Sequence, residues 1–303
     1  MKAYVRTNAQ SMEVELQNIA VPEVAEQEVL VEMSAFGVGI HDRYFIPSDA
    51  NFPYTIGLEG SGVIKKIGNG VKDFVIGDRV ILNSSSLPKG GCWAEYTVVP
   101  SDMLILLPES MDFNEGATIS VAGKTAMECM GALNLNEGDT LFIAGASGAI
   151  GSLVIQLATD KGVRVIASAS KNNHAYMHAL GADITVDYKD ADWKESLLTI
   201  LPNGVDIALA IQPNTAKDSM DVVKNSGTVI TVSGDSIAAE RGITVSQFEH
   251  LLRWQEALNG LIGNITAGKV KIIIEKVYRF DQALEALAKI ETRHARGKIV
   301  VSI

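Results

Sequence analysis

Hydrophobic and polar positions change their rhythm once along this chain. Up to about Glu115 they form short alternating or apolar runs, KAYVRT, EVLVEMSAFGVG, GSGVIKKIG, GDRVILN and AEYTVV, each closed by Gly, Pro or a polar cluster. Runs of that length and period predict strands, and together they predict a twisted β domain. Beyond Glu115, GATISVAGKTAMECMGALN reads as a helix rich in small residues, and strand and helix signals then alternate. TLFIAG, VRVIASAS, ITVDY, VDIALAI and TVITVSG read as strands, while AIGSLVIQLATDKG and NNHAYMHALG read as helices stopped at Gly162 and Gly181. Such alternation predicts a parallel sheet wrapped by helices. SQFEHLLRWQEALNGLIGNITAG predicts one long helix, and KIIIEKVYRF, DQALEALAKIETRHARG and KIVVSI return to strand, helix and strand. The last run is so apolar that it needs a sheet to join, and the N-terminal β domain is the natural host.

Composition narrows the classes open to this chain. Its 303 residues, 47% hydrophobic and 20% charged, suit a globular protein with room for two domains. A net charge of -10 and a pI near 5.0 argue against nucleic acid as a partner, because polyanion binding rests on clustered Lys and Arg. The two cysteines, Cys92 and Cys129, are too few for a disulfide framework and fit a reducing compartment. MKAYVRTNAQ has no apolar export segment, and no apolar run is long enough to span a bilayer, so the expected location is cytoplasmic, with no membrane partner.

The candidate chemistry begins at Leu141–Gly151, LFIAGASGAIG. An apolar strand runs into glycines at 145, 148 and 151, and a helix follows. Gly145 permits a tight turn, Gly148 lets the backbone approach a pyrophosphate, and Gly151 lets the helix pack close to the strand. The amides around Ser147, Ala149 and Ile150 would then face the phosphates at the helix N-terminus. Two other motifs fail on spacing. A nucleophile elbow needs glycine where Ala149 stands, and a phosphate loop ending in Gly123-Lys124-Thr125 needs glycine in place of Thr118. The next strand ends in Ser168, Ala169 and Ser170, followed by Lys171, with no carboxylate to bond a ribose 2′-OH. Two hydroxyls and an ammonium suit a 2′-phosphate, which favours NADPH over NADH. Lys171 as a plain solvated loop charge is the competing reading. His174 and His178 lie one helical turn apart, but Ala175 stands where a zinc protease motif has Glu, so a solvated face is the better reading.

In combination, FPYTIGLEGSGVIKKIGNGVKDFVIGDRV, GGCWAEYTVVP, AGKTA, AGASGAIG, LGADITVDY and HARGKIVVSI resemble the medium-chain dehydrogenase/reductase superfamily, in its zinc-independent quinone oxidoreductase, or zeta-crystallin-like, branch. The resemblance runs nearly end to end. It implies an α/β protein: a GroES-like β domain over 1–118, completed by 268–303, and a Rossmann NADP-binding domain with a doubly wound parallel sheet over 119–267. Zinc-dependent members carry an early cysteine and a Gly-His-Glu segment. Here the corresponding stretches are GVGIHDRYF and Gly57-Leu58-Glu59, and the four-cysteine structural lobe is reduced to Cys92. His41 and Glu59 lack a third ligand, so no metal is expected.

The resemblance also implies roles for single residues. Tyr44 matches a tyrosine of the substrate cleft, able to orient or polarise a carbonyl or to serve as an apolar wall. Thr125 matches a threonine near the nicotinamide carboxamide, and Tyr188 one near the 2′-phosphate. Ser233 and Gly234 end a strand where the nicotinamide passes, and Lys298, with Arg296, is placed near the cofactor or in a helix-end charge cluster. Two places depart from the pattern: Gly39 replaces an asparagine, and Gln212-Pro213 replaces an Asp-x-x-Gly arrangement. GITVS matches an edge strand that pairs across a homodimer. The implied activity is hydride transfer from NADPH to a small-molecule quinone or α,β-unsaturated carbonyl. The alternatives are an enoyl thioester reductase and a weakly catalytic NADPH-binding redox sensor or structural protein.

Overall fold

The computed structural model describes residues 1–250 and 253–303. It divides into two units. One comprises Met1–Ala122, Trp254–Asn259 and Ile274–Ile303, and the other Gly123–Arg253 and Gly260–Ile273.

The first unit is organised around the eleven-residue strand Glu28–Val38 in a seven-stranded sheet. Its valines and Met33 alternate inward, and from Ala35 to Val38 both faces are buried. One edge of this strand pairs with Glu59–Ile67, which continues to Arg79–Asn83 and Leu104–Leu106. The other edge serves two partners in turn. Tyr96–Pro100 pairs with Glu28–Glu32, and Lys298–Ser302 pairs antiparallel with Ala35–Val38. The apolar tail of the chain thus completes the N-terminal sheet, and Ile274–Arg279 adds to it in parallel. A small antiparallel sheet joins Glu15–Asn18, Lys2–Arg6 and Tyr54–Thr55. Phe36 stacks on Trp93 at 4.9 Å, Tyr4 meets Trp93 edge-on, and the Tyr4 hydroxyl donates to the Phe280 carbonyl at 2.7 Å, binding both chain ends into one core.

The second unit holds a parallel six-stranded sheet in the order Ile184–Val186, Arg164–Ser168, Thr140–Ala144, Val205–Ala210, Val223–Thr231, Thr244–Gln247. Chain order reverses direction at Thr140–Ala144, which has Arg164–Ser168 on one side and Val205–Ala210 on the other. In open α/β sheets the ligand crevice opens at the carboxyl end of the strand where this happens. Leu141, Phe142, Ile143, Val165, Ile166 and Ala167 are buried, as expected of strands covered on both faces. Phe142 stacks on Trp193 at 5.5 Å with the rings nearly parallel.

Two expected helices are shorter than their sequence pattern. GATISVAGKTAMECMGALN is split into Phe113–Gly116, closed by an Asp112–Glu115 capping box, and Ala122–Leu133. Between them the Thr118 hydroxyl donates to the Glu115 carbonyl at 2.7 Å and the Val121 amide to the Glu59 carboxylate at 2.8 Å, which diverts the backbone from helical bonding. SQFEHLLRWQEALNGLIGNITAG divides likewise. Ser246 and Gln247 belong to the strand Thr244–Gln247, and the Phe248 amide still donates to Thr231 at 2.9 Å, so the sheet edge captures what the pattern assigned to helix. Residues 251 and 252 lie outside the described residues, and the helix runs from Trp254 to Thr266.

Gly37 sits in the centre of the first sheet, where no side chain fits. A Cβ there would lie 2.3 Å from the Ala117 carbonyl oxygen and 3.0 Å from Glu59 Oε1. Gly37→Ala is expected to destabilise the protein by about 1–3 kcal/mol, the cost of overpacking against backbone, read as a lower midpoint in urea unfolding with unchanged slope.

Candidate functional site

The glycine turn is built as its spacing predicts. The strand Thr140–Ala144 ends at Gly145, which takes φ 85°, and a Cβ there would lie 2.7 Å from Gln212 Cγ. A side chain is excluded twice over, by conformation and by space. The Gly148 amide donates back to Gly145 at 3.3 Å, and the Ala146 amide donates to Ser168 at 3.2 Å, locking the turn to the neighbouring strand. Gly148 is the N-cap of the helix Ala149–Asp160 and supplies no side-chain cap. A Cβ on Gly148 would meet only the Gly145 carbonyl, at 3.6 Å. The face is therefore open, and Ser147, Ala149 and Ile150, each half-buried, border it. Gly151 is the opposite case: its Cβ would lie 2.6 Å from Ala146, so the first helical turn rests directly on the loop. An uncapped twelve-residue helix start beside an open glycine is an anion site by construction.

The end of the second strand converges on the same place. Ser168 is buried, and Ser170 Oγ lies 3.5 Å from the Tyr188 hydroxyl. Lys171 is exposed, with its amide donating to Asp187 at 3.1 Å. Asn173 donates to Ser147 Oγ at 3.2 Å, linking this loop to the glycine turn. Amides of Lys189 and Lys171 hold the Asp187 carboxyl below the usual carboxylate range, and the Lys189 ammonium lies 5.7 Å over the Tyr188 ring. Ser147, Ser168, Ser170, Lys171 and Tyr188 are thus brought together. Asn173, Asp187 and Lys189 join them without having been expected. Their role shows only in contacts, since an Asn at a helix start or an Asp in a turn is ordinary in sequence.

Elsewhere in this unit, Thr125 is buried in the helix Ala122–Leu133. Ser233 and Gly234 follow the strand Val223–Thr231, and a Cβ on Gly234 would meet nothing within 4 Å. Asp235 accepts the amides of Thr215 at 3.1 Å and Ala216 at 3.3 Å, which ties this turn to the Gln212–Thr215 segment. Gln212 itself lies against Gly145. That is where the Gln212-Pro213 departure makes itself felt.

Lys298 belongs to the first unit, is 8% exposed, and its ammonium is ion-paired with Glu59 Oε1. A buried carboxylate requires a cation, and Lys298 meets that demand. The other Glu59 oxygen accepts the Val121 amide at 2.8 Å, and the Cys92 thiol donates to the Glu59 backbone carbonyl at 3.1 Å. Asp42, 1% exposed, accepts the Gly39 amide at 2.6 Å in the turn that carries Tyr44. Tyr44 is 50% exposed, and its backbone is held by an amide bond to His41 at 2.8 Å. This donor set does not fit a zinc ion. Both Glu59 oxygens have donors, Leu58 is apolar and buried, and among the described residues no three His, Cys, Asp or Glu side chains are grouped to hold a metal.

Known proteins match this arrangement throughout. Residues 25–109 match the alcohol dehydrogenase GroES-like domain family and residues 180–301 the zinc-binding dehydrogenase family. The chain is 31% identical over 318 aligned residues to the chloroplastic NADPH-dependent alkenal/one oxidoreductase of Arabidopsis thaliana, covering 99% of this chain and 79% of that protein. It is 30% identical to the 2-methylene-furan-3-one reductase of Solanum lycopersicum, with the same coverage. Among solved structures, the quinone oxidoreductase of Coxiella burnetii superposes with a TM-score of 0.87 at 27% identity, over 100% of this chain and 99% of that one.

Lys298→Met leaves Glu59 as an uncompensated buried charge. It is expected to cost about 3–5 kcal/mol in chemical denaturation, and Glu59→Gln added to it to recover a large part of the loss.

Proposed function

Because the chain belongs to the quinone oxidoreductase-like branch of the medium-chain dehydrogenase/reductase superfamily, we propose that it reduces quinones or α,β-unsaturated carbonyls with NADPH. One observation carries the reading: the open face at Gly148 lies beside a strand end that offers Ser168, Ser170, Lys171 and the Tyr188 hydroxyl and no ribose carboxylate. The amides of Ser147, Ala149 and Ile150 hold the pyrophosphate, with Gly145 and Gly151 shaping the turn around it. Lys171, Ser170 and Tyr188 hold the 2′-phosphate, Ser168 closes the ribose side, and Thr125, Ser233 and Gly234 border the nicotinamide half. When bound, NADPH supplies the hydride.

The protein's own task is to orient the acceptor and to meet the negative charge that develops on its carbonyl oxygen. Tyr44 is the candidate donor to that oxygen. We read the chemistry as independent of zinc, since Glu59 is already satisfied by Lys298 and Val121. Acceptors that delocalise the incoming charge through conjugation are the ones such a site can serve without a Lewis acid. The two buried free thiols, Cys92 and Cys129, fit the cytoplasm, and no helix of the described residues is long and apolar enough to cross a membrane.

The strand Thr244–Gln247 lies at the sheet edge, paired on one side by Val223–Thr231, with its side chains mostly exposed. An open edge is a template for pairing, and we assign it to a homodimer contact. Light scattering should give twice the chain mass; the mass of one chain removes the assignment.

Turnover of NADPH absorbance with a panel of small quinones and enones tests the activity. Reduction of these supports it, reduction of enoyl thioesters alone favours the thioester reductase, and tight NADPH binding with no acceptor favours a sensor. Lys171→Ala should weaken NADPH by about tenfold, or about 1.4 kcal/mol, and leave NADH almost unchanged in a fluorescence titration. Equal losses for the two cofactors would mean that Lys171 does not read the 2′-phosphate.

A further inference from the structure

Asp42 is a buried acid for which neither the fold nor the proposed chemistry gives a use. It lies in the turn that follows the strand Glu28–Val38, between Gly39 and Tyr44. Within the turn, Asp42 N donates to Gly39 O at 3.2 Å, Tyr44 N and Phe45 N to His41 O at 2.8 and 3.0 Å, Ile46 N to Tyr44 O at 2.9 Å and Gly39 N to Asp42 Oδ2 at 2.6 Å; from outside it, Arg6 donates to the Arg43 carbonyl at 3.0 Å and Arg43 pairs with Glu291 at 2.9 Å. His41 stacks on Phe45 at 4.7 Å, but Tyr44 is half exposed. Its placement therefore depends on the turn more than on packing of its own ring. Asp42 is the only side chain of this turn buried almost completely, and its bond closes the turn at the end nearest the sheet.

The groups that face Asp42 come from three other segments. Lys298 lies on the last strand, Glu59 on the strand Glu59–Ile67, and Cys92 on the segment leading to Tyr96–Pro100. Lys298 and Glu59 already form a neutral pair, and burial pushes the Cys92 thiol far up, so it carries no charge. With Asp42 protonated the cluster is neutral. With Asp42 ionised, two carboxylates share one buried ammonium. Burial raises the Asp42 carboxyl to about 7; the Gly39 amide, the Lys298 charge and the Leu58 amide oppose this, and Glu59 adds to it. Protonation leaves the Gly39 bond intact, because the carbonyl oxygen of the acid still accepts. Ionisation instead places in the interior a charge that two amides and an ammonium shared with Glu59 compensate only in part, which is relieved by letting water in. His41, in the same turn, is held below its usual value by desolvation and nearby Arg293, and comparison of the wild type with Asp42→Asn separates its titration from that of Asp42.

We infer that Asp42 is the positioning residue for Tyr44: the neutral carboxyl closes the 39–44 turn, and loss of its proton or of the side chain loosens the turn and weakens acceptor binding. This rests on the reading of the protein as an NADPH-dependent reductase of quinones and enones. The linkage has a definite sign. The folded-state value lies above the ordinary one, so this group's contribution to stability is full at low pH, falls as pH rises towards about 7, and is constant above that.

Two measurements on wild type, Asp42→Asn and Asp42→Ala test the inference. In steady-state kinetics with a quinone or enone that the wild type reduces, acceptor KM should rise severalfold from about pH 6 to about pH 8, with a smaller change in kcat. Asp42→Asn, which keeps an acceptor for Gly39 and cannot ionise, should show no such rise, and Asp42→Ala should have a raised KM at every pH. Hydrogen exchange of the segment 39–46, corrected for intrinsic pH dependence, reads the turn without catalysis. Its protection should fall through neutrality in the wild type and stay level in Asp42→Asn. Identical pH profiles of KM and protection in wild type and Asp42→Asn overturn the inference, as does wild-type KM in Asp42→Ala. Should Asp42→Ala not fold, the comparison with Asp42→Asn decides alone. A wild type that reduces no acceptor defeats the functional reading instead, and the exchange experiment then still judges Asp42.

Discussion

A carboxylate buried where two distant parts of the chain meet is the constraint on which the first unit depends. Glu59, 2% exposed, opposes Gly37 across the central strand, and Lys298 reaches it from that strand's other edge. Removing both charges from water costs several kcal/mol each, and the cost is offset only because every oxygen of the carboxylate finds a donor. One donor is the last strand's ammonium and the other is the Val121 amide at the break before Ala122–Leu133. The strand that closes the sheet and the interruption of the expected helix therefore meet at one carboxylate, and Gly37 leaves room for it and for the Ala117 carbonyl. The ion pair adds a specific contact to the hydrophobic burial of Lys298–Ser302.

The second unit handles unsatisfied groups in the opposite way. At Gly148 a twelve-residue helix begins with no side-chain cap, on a face that a side chain would otherwise cover. Its free amides and the positive end of the helix dipole stay available for an anion. Around them the protein adds hydroxyls and an exposed lysine but withholds the carboxylate that would repel a phosphate. Asp187 stands close by, yet it is turned to the amides of Lys171 and Lys189, where it organises the loop. One unit closes its electrostatics internally and the other leaves them open, which is the physical difference between a scaffold and a binding site.

That difference also explains what could be read from sequence. The glycine turn was legible because its cause is local: Gly145, Gly148 and Gly151 each answer to atoms a few residues away or to their own φ. The strand alternation, including the end of Arg164–Ser168, was legible for the same reason. The Lys298–Glu59 pair was not legible, because the partners are 239 residues apart and nothing in HARGKIVVSI points to Glu59. The helix expected across Ser246–Gln247 failed because a sheet edge outcompeted local helical preference, a choice made by tertiary pairing. Asn173 was invisible until its amide was seen to bond Ser147.

The same ion pair bears on the zinc-independent chemistry proposed for the protein. A site that oxidises simple alcohols must stabilise an alkoxide, and a metal does so because its charge is free to meet the substrate oxygen. Here the buried positive charge is spent on Glu59, and Leu58 contributes an apolar wall in the middle of its segment. An acceptor must then carry its own means of spreading negative charge, as a conjugated carbonyl does, with no more help than a neutral hydroxyl such as that of Tyr44 can give. A fold that in zinc-dependent relatives works by Lewis acidity is compatible in this chain with hydride transfer that works by geometry. On the proposed reading of Tyr44 as the donor, the burden of catalysis shifts from charge to the placement of that residue, and so to the short turn between Gly39 and Tyr44 that holds it.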